Sequence, residues 1–200
     1  MKHRMLAATA LSLALVTSLA ACGTPPWADA GATATPTSTP KTTSGEITTV
    51  VNELATGSTE HQLSAGGIGL VVDYYSTLSM DQWTADADKP LSISMIADIT
   101  NDEGQDIFLS NMTVLVAVYG ADGKLTSPPQ LVDRATVNPG YLVKRPYSYA
   151  QTFVLPAVDP EATYVQLTLT YELLLQSTPT SSQYAKQTAA DTLTIAIAQP

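Results

Sequence analysis

The chain has little of what most catalytic and metal sites require. Its 200 residues include one cysteine and two histidines. One thiol excludes a disulfide within the chain, and these few ligands exclude a zinc site, which needs several cysteines or histidines at fixed spacing. Basic residues are also scarce: 9 Lys and Arg stand against 18 Asp and Glu, for a net charge of −9. So acidic a chain repels phosphate backbones, and we expect no nucleic-acid partner.

Nothing in the sequence assembles a catalytic set. His61 is the only histidine beyond the first few residues, and no Gly-x-Ser-x-Gly elbow is present. A nucleophile triad needs a histidine base held by a carboxylate, and a glycosidase needs two facing carboxylates. No such pair is singled out. We therefore predict that the protein is not an enzyme, and that His61 is a surface or edge-strand residue.

The only strongly apolar run spans residues 5–20. It follows Lys2 and Arg4 and ends at Leu19-Ala20-Ala21-Cys22. A basic start, an apolar stretch and small residues are the layout of a secretory signal peptide. The run is short for a membrane span of about 20 apolar residues, although an uncleaved helix stays an alternative.

The residues Leu19-Ala20-Ala21-Cys22 resemble the lipobox of bacterial lipoproteins. The resemblance implies that a diacylglycerol is attached to Cys22 and that the chain is cut just before it. It predicts a signal peptide over 1–21 and a cell-membrane lipoprotein anchored through lipid on the extracytoplasmic face. An ordinary cleavage site that Cys22 follows by chance is the alternative. Removal of Lys2 and Arg4 with the signal leaves the mature chain more acidic still.

The segment 22–45 begins at the lipidated Cys22 and is rich in Thr, Pro, Ala and Ser. Such a composition buries too little apolar surface to offset its ordering entropy, so we predict a disordered linker that holds the domain off the membrane. Its Thr, Ser and Pro content also suits O-glycosylation. The remaining 46–200 has the length of one domain.

Hydrophobic residues in 46–200 recur mostly every second position, which indicates strands. Alternation or β-branched composition predicts strands over 68–76, 91–101, 111–119, 147–155, 163–173 and 192–198. Six or seven strands separated by turns predict an all-β, antiparallel β-sandwich. The segment 46–54 is ambiguous: its apolar spacing fits a helix, but Ile-Thr-Thr-Val-Val favours a strand, with 55–58 as its turn.

The stretch 91–197 resembles a group of Gram-positive lipoproteins with one immunoglobulin-like domain, and small secreted immunogenic antigens of that fold. The matching features are the strand 91–101 ending in Thr-Asn, the polar hairpin 119–124, the turn Asn138-Pro139-Gly140, and Phe153-Val154-Leu155-Pro156. The resemblance implies an immunoglobulin-like sandwich and no established reaction. The segment 46–90 precedes the matching part and has no counterpart in it.

Two sets of residues could bind a partner or an ion. A stacking platform for a sugar or a protein, or simply core packing, is predicted for Tyr74, Tyr75, Trp83, Tyr141, Tyr147 and Tyr149. Calcium could be held by the oxygen-rich turn of Asp102, Glu103 and Asp106 or by Asp81, Asp86 and Asp88, although neither has EF-hand spacing and a polar turn is the simpler interpretation.

These features together predict an exported, lipid-anchored binding or accessory module without cofactor or metal. Its partner would be an envelope protein or a cell-wall glycan, and we expect a monomer. The alternatives are an envelope-associated hydrolase and a solute-binding lipoprotein of a transporter. The latter class is usually two-lobed and larger than this chain.

Overall fold

The computed structural model describes residues 50–199. The predicted signal peptide, Cys22 and the linker lie outside these residues. Within them the chain forms ten strands, one short 3-10 turn at Met80–Gln82, and no α-helix. The strands are β1 (Ser58–Ala65), β2 (Ile68–Tyr75), β3 (Lys89–Ile99), β4 (Ile107–Gly120), β5 (Gly123–Lys124), β6 (Leu131–Arg134), β7 (Tyr141–Leu142), β8 (Tyr149–Leu155), β9 (Ala162–Gln176) and β10 (Tyr184–Ala196).

The strands form two antiparallel sheets that pack as a β-sandwich. One sheet has the order β1-β2-β3-β8, and the other has the order β10-β9-β4, with β5, β6 and β7 paired along the far side of β4. Strands β2, β3 and β8 thus correspond to A, B and E of an immunoglobulin domain, and β4, β9 and β10 to C, F and G. The predicted all-β, antiparallel β-sandwich is confirmed.

The segment 46–90 supplies the two outermost strands on one side of the four-stranded sheet, β1 and β2. Strands β1 and β2 form a hairpin across Gly66-Gly67, and Gly66 has φ of +59°. A positive φ at the first of two loop residues suits a tight hairpin turn, and glycine adopts it without steric cost. The position of strand A is therefore taken by β2, and β1 is an additional edge strand.

The core lies between the sheets, because alternate residues of each strand point to one face. On β9, Val165, Leu167, Leu169 and Tyr171 are all fully buried, as the alternation predicts. On β4 the register shifts between Leu109 and Asn111, so the buried positions change from odd to even numbers along the strand. That extra residue is a β-bulge, and β7 pairs with β4 beside it.

Gly140 is required where β7 approaches this bulge. A Cβ atom built on Gly140 would lie 2.6 Å from the carbonyl oxygen of Leu109. The obstacle is strand backbone, which cannot rotate away as a flexible side chain would. The Asn138-Pro139-Gly140 turn therefore places Tyr141 directly against the second sheet.

The described part of the segment 46–54 takes neither the helix that its spacing allowed nor the strand that its composition favoured. Residues 50–54 are neither strand nor helix, and 53–56 form a turn. Leu54 is fully buried in the core, while the Glu53 backbone N–H donates to the Thr194 carbonyl at 3.0 Å. The apolar side chain of Leu54 thus anchors a crossing segment, and β1 begins only after Gly57.

Candidate functional site

The two lateral openings of the sandwich carry the polar side chains that meet between the sheets. One opening lies where β1 faces β10. The other lies where β8 faces β6 and β7. The first opening is closed by the protein's own side chains, whereas the second forms a surface groove.

The groove is built by one residue from each of three short strands. The rings of Tyr141 on β7 and Tyr149 on β8 stack with centroids 5.9 Å apart and planes at 27°. The Tyr149 hydroxyl donates to Asp133 Oδ2 on β6 at 2.7 Å. With Ser148, Ala150 and Gln151, these residues line a cavity of about 360 Å³. We call this feature the tyrosine groove.

The electrostatics of the tyrosine groove are those of a fixed anion beside aromatic rings. Burial, followed by the hydrogen bond to Asp133, raises the pKa of Tyr149 well above its usual range. The phenol therefore stays protonated at neutral pH and donates to the carboxylate. Tyr149 is only 5% exposed and forms the floor, while Tyr141 is half-buried and reaches the surface. A cation, a hydroxyl or an amide group can meet both a ring face and a carboxylate here.

The platform of six aromatic residues does not form. Tyr74 and Trp83 are fully buried in the core, which agrees with the packing interpretation. Tyr75 and Tyr147 are exposed, and Tyr147 does not share the buried face of Tyr149. The predicted strand 147–155 therefore begins two residues before the observed start of β8 at Tyr149. Only the Tyr141–Tyr149 pair of the predicted set stacks.

The opposite opening contains a polar network around Asp191. Asp191 Oδ2 lies 2.7 Å from Nδ1 of His61 and accepts a hydrogen bond of 2.6 Å from the Tyr74 hydroxyl. The Tyr74 hydroxyl also lies 2.9 Å from that of Tyr171. Glu53 Oε1 is 3.4 Å from Nε2 of His61. The network joins edge strand β1 to edge strand β10 across the gap between the sheets.

This network links the two sheets at their edges and does not have the geometry of a nucleophile triad. Both ring nitrogens of His61 face carboxylates, so neither is aimed at a hydroxyl or thiol. Burial is the largest cause that raises the pKa of Tyr74 and of Tyr171, and both phenols stay protonated donors at neutral pH. Charged side chains that point inward on edge strands also oppose pairing with another chain. His61 lies on an edge strand, as predicted.

The two acidic clusters do not converge on an ion. Asp102 Oδ1 accepts 2.6 Å and 2.8 Å hydrogen bonds from the Lys144 ammonium and the Gly104 N–H. The Asp86 carboxylate accepts from the Thr84 hydroxyl at 2.6 Å. Among residues 50–199, no three His, Cys, Asp or Glu side chains are placed to hold a metal. The turn of Asp102, Glu103 and Asp106 is held by a lysine instead.

Sequence reasoning missed a buried lysine at one end of the sandwich. Lys89 is fully buried, and its ammonium donates to the carbonyls of Thr84 and Ala87 at 3.1 and 2.5 Å, with Ala85 at 3.4 Å. Burial lowers the pKa of Lys89 below its ordinary value. Beside it, Thr84, Ala85, Val158, Pro160 and Ala198 line a mainly apolar cavity of about 420 Å³. The lysine closes the loop 84–88. Asp86 and Gln199 also line the cavity, where Asp86 accepts from the Thr84 hydroxyl and the Gln199 amide donates to the carbonyls of Ala162 and Ile197.

Comparison of the chain with protein-family models and with curated proteins returns no match. Within residues 50–199 there is no helix that is long and apolar enough to cross a membrane.

Proposed function

We propose that this protein is an extracytoplasmic lipoprotein, anchored to the cell membrane through lipid on Cys22, whose sandwich domain binds an envelope protein or a cell-wall component without catalysis. The anchor is supported by the basic start, the apolar run and the Leu-Ala-Ala-Cys sequence. The binding role is supported by the immunoglobulin-like fold, which commonly serves recognition at cell surfaces.

The observation that carries the binding role is the open tyrosine groove. The half-buried ring of Tyr141, held by its stacking on Tyr149, offers an aromatic contact surface at modest entropy cost, and the Asp133 carboxylate gives the groove polarity. Convergent aromatic and polar groups in a concave surface are the usual features of a binding site. The opposite opening is occupied by the Asp191 network.

Crosslinking in living cells tests this proposal. The protein would be recovered from solubilised membranes as the parent chain, as Cys22→Ser and as Tyr141→Ala. We expect one membrane protein, or cell-wall glycan fragments, to be recovered with the parent and to be lost from Tyr141→Ala. Tyr147→Ala removes an exposed tyrosine outside the groove and is the matched control.

The anchor has its own outcome in the same experiment. Cys22→Ser should leave the membrane fraction, because the acyl chains supply the attachment at about 0.8 kcal/mol per buried methylene. A Cys22→Ser protein that still sediments with membranes would contradict lipid anchoring. Recovery of the same species from the parent and Tyr141→Ala would contradict binding at the groove.

A further inference from the structure

Strand β8 is the unprotected edge of the four-stranded sheet. It pairs with β3 on one side, and no strand among residues 50–199 pairs with its other side. Its sequence Tyr149–Leu155 contains no charged residue, no proline and no glycine. An edge strand presents a row of free N–H and C=O groups, and proteins usually blunt it with charge, proline or a covering segment.

The other edges of this molecule are blunted in those ways. Strand β1 carries Glu60 and His61, and β10 carries Lys186 and Asp191. The far side of β4 is covered by β5, β6 and β7. An immunoglobulin domain places strand D beside strand E, and the part of the chain that the structure describes places no strand beside β8. The exposure of β8 is thus specific to this position.

The tyrosine groove runs beside the same edge. Tyr149, Ala150 and Gln151 belong to β8 and also line the groove. An extended peptide that pairs with β8 would therefore lie along the groove. Because successive side chains of a strand point to opposite faces, every second side chain of such a peptide would be directed toward Tyr141 and Asp133.

We propose that β8 binds an extended segment of a partner protein by strand addition, and that the tyrosine groove holds a Lys or Arg side chain of that segment. This inference rests on the proposed binding function and names its partner chemistry. Main-chain hydrogen bonds to the edge give affinity, and a side-chain pocket gives specificity. A cation fits the groove because it can meet the Asp133 carboxylate and the ring of Tyr141, which is only half-buried.

A second copy of the chain fits β8 less well. The strand itself could pair with another β8 without a charge clash, but each copy is acidic: the full sequence has a net charge of −9, and loss of Lys2 and Arg4 with the predicted signal peptide makes it more negative. Such a pair would also bring two Asp133 grooves to the same joint, where like charges repel. A basic segment has the complementary charge.

Binding of short synthetic peptides to the detergent-solubilised full chain tests the inference. The probes alternate Thr and Val around a central Lys, with central Glu in the matched peptide, and fluorescence anisotropy gives the affinity. We expect the Lys peptide to bind at least about tenfold more tightly, the effect of one charged hydrogen bond. Asp133→Asn should remove most of that preference, while the exposed control Asp122→Asn should retain it.

Two further measurements identify strand addition and need no protein variant. N-methylation of alternate peptide residues should abolish binding in one register and leave it unchanged in the other, since a strand uses alternate N–H groups on each side. Hydrogen exchange should show that β8 amides on the free edge exchange fast alone and slow down with the Lys peptide.

Several results would overturn the inference. Equal binding of the Lys and Glu peptides would contradict recognition of a cationic side chain by the groove. Binding that is insensitive to N-methylation would contradict strand addition at β8. Slow exchange of the β8 edge amides without peptide would mean that the edge is already covered. Sedimentation would then distinguish a second copy, if it shows dimers, from residues 1–49, if it shows monomers. A partner that crosslinks through Tyr141 while no peptide binds would sustain the proposed function and refute only this mode of recognition.

Discussion

Three tyrosines should make this protein unfold in alkali. Tyr74 and Tyr171 are fully buried and Tyr149 is 5% exposed. Burial is the largest cause that raises the pKa of each phenol above its ordinary value of 10.0, and Asp133 and Asp191 add to it. Above that value the unfolded chain releases three protons that the folded chain keeps. The folded state therefore binds more protons, and the free energy of unfolding falls as pH rises.

The size of this pH dependence follows from the linkage between proton release and unfolding. Each tyrosine that is ionised only in the unfolded state lowers the free energy of unfolding by about 1.4 kcal/mol per pH unit. Three such groups give about 4 kcal/mol per unit, so a domain with about 10 kcal/mol of stability would be exhausted within two to three units above pH 10.

Lys89 acts in the opposite direction below its ordinary pKa. Its folded pKa is lowered by burial, so between that value and about 10.4 the unfolded chain holds one proton more and stability rises with pH. Above about pH 11 the lysine is neutral in both states, and only the tyrosines set the slope.

Urea denaturation from pH 9 to 12, followed by circular dichroism, measures this slope. Tyr74→Phe should reduce the slope above pH 11 by about one third, to about 2.7 kcal/mol per unit. Tyr147→Phe removes an exposed phenol and should leave it unchanged. A parent slope near zero, or an unchanged slope in both Tyr74→Phe and Tyr149→Phe, would refute the assignment of the alkaline transition to buried phenols.

Three further predictions concern packing and hydrogen bonds. Gly140→Ala should lower the free energy of unfolding by about 2 kcal/mol, seen as a lower urea midpoint, because the new methyl group meets strand backbone. Gly67→Ala has open space and is its control, and equal midpoints for the two variants would contradict the clash. Asp191→Ala and Tyr74→Phe should each lower the free energy of unfolding by about 2 kcal/mol, and a double-mutant cycle should give a coupling energy of about 1 kcal/mol. Additive losses would show that the two side chains do not belong to one network. Lys89→Met should lower stability at pH 7 by about 1–3 kcal/mol, since it leaves carbonyl acceptors without their donor, and a higher melting temperature would contradict that role.

The long strands could be predicted because their alternation is carried by large apolar residues. Leu193 and Ile195 on β10, like Ile93 and Met95 on β3, are buried as their spacing indicates. Strand β1 was missed, because its inward positions hold small or polar residues apart from Leu63. The two-residue strand β7 has no period to detect, since its place is fixed by pairing with β4.

The candidate site was predicted only in part, because its geometry is created by long-range pairing. Tyr141 and Tyr149 stood out by composition, but their contact with Asp133 depends on β6 and β7 both pairing with β4. Asp191 carried a readable signal. It occupies an inward position two residues before Leu193, and a carboxylate at such a position requires a buried partner.

The two openings of the sandwich explain why recognition is assigned to one side. At the β1–β10 opening, Asp191, His61 and Tyr74 satisfy one another, so an incoming ligand would have to displace hydrogen bonds already made. At the β8 opening, the Tyr149–Asp133 hydrogen bond fixes the groove, yet the strand edge beside it has no pairing strand among residues 50–199. Added contacts there replace hydrogen bonds to water and need not break hydrogen bonds within the protein. Because the chain has no disulfide to hold it, closure of one opening by polar contacts stabilises the sandwich while the other stays accessible.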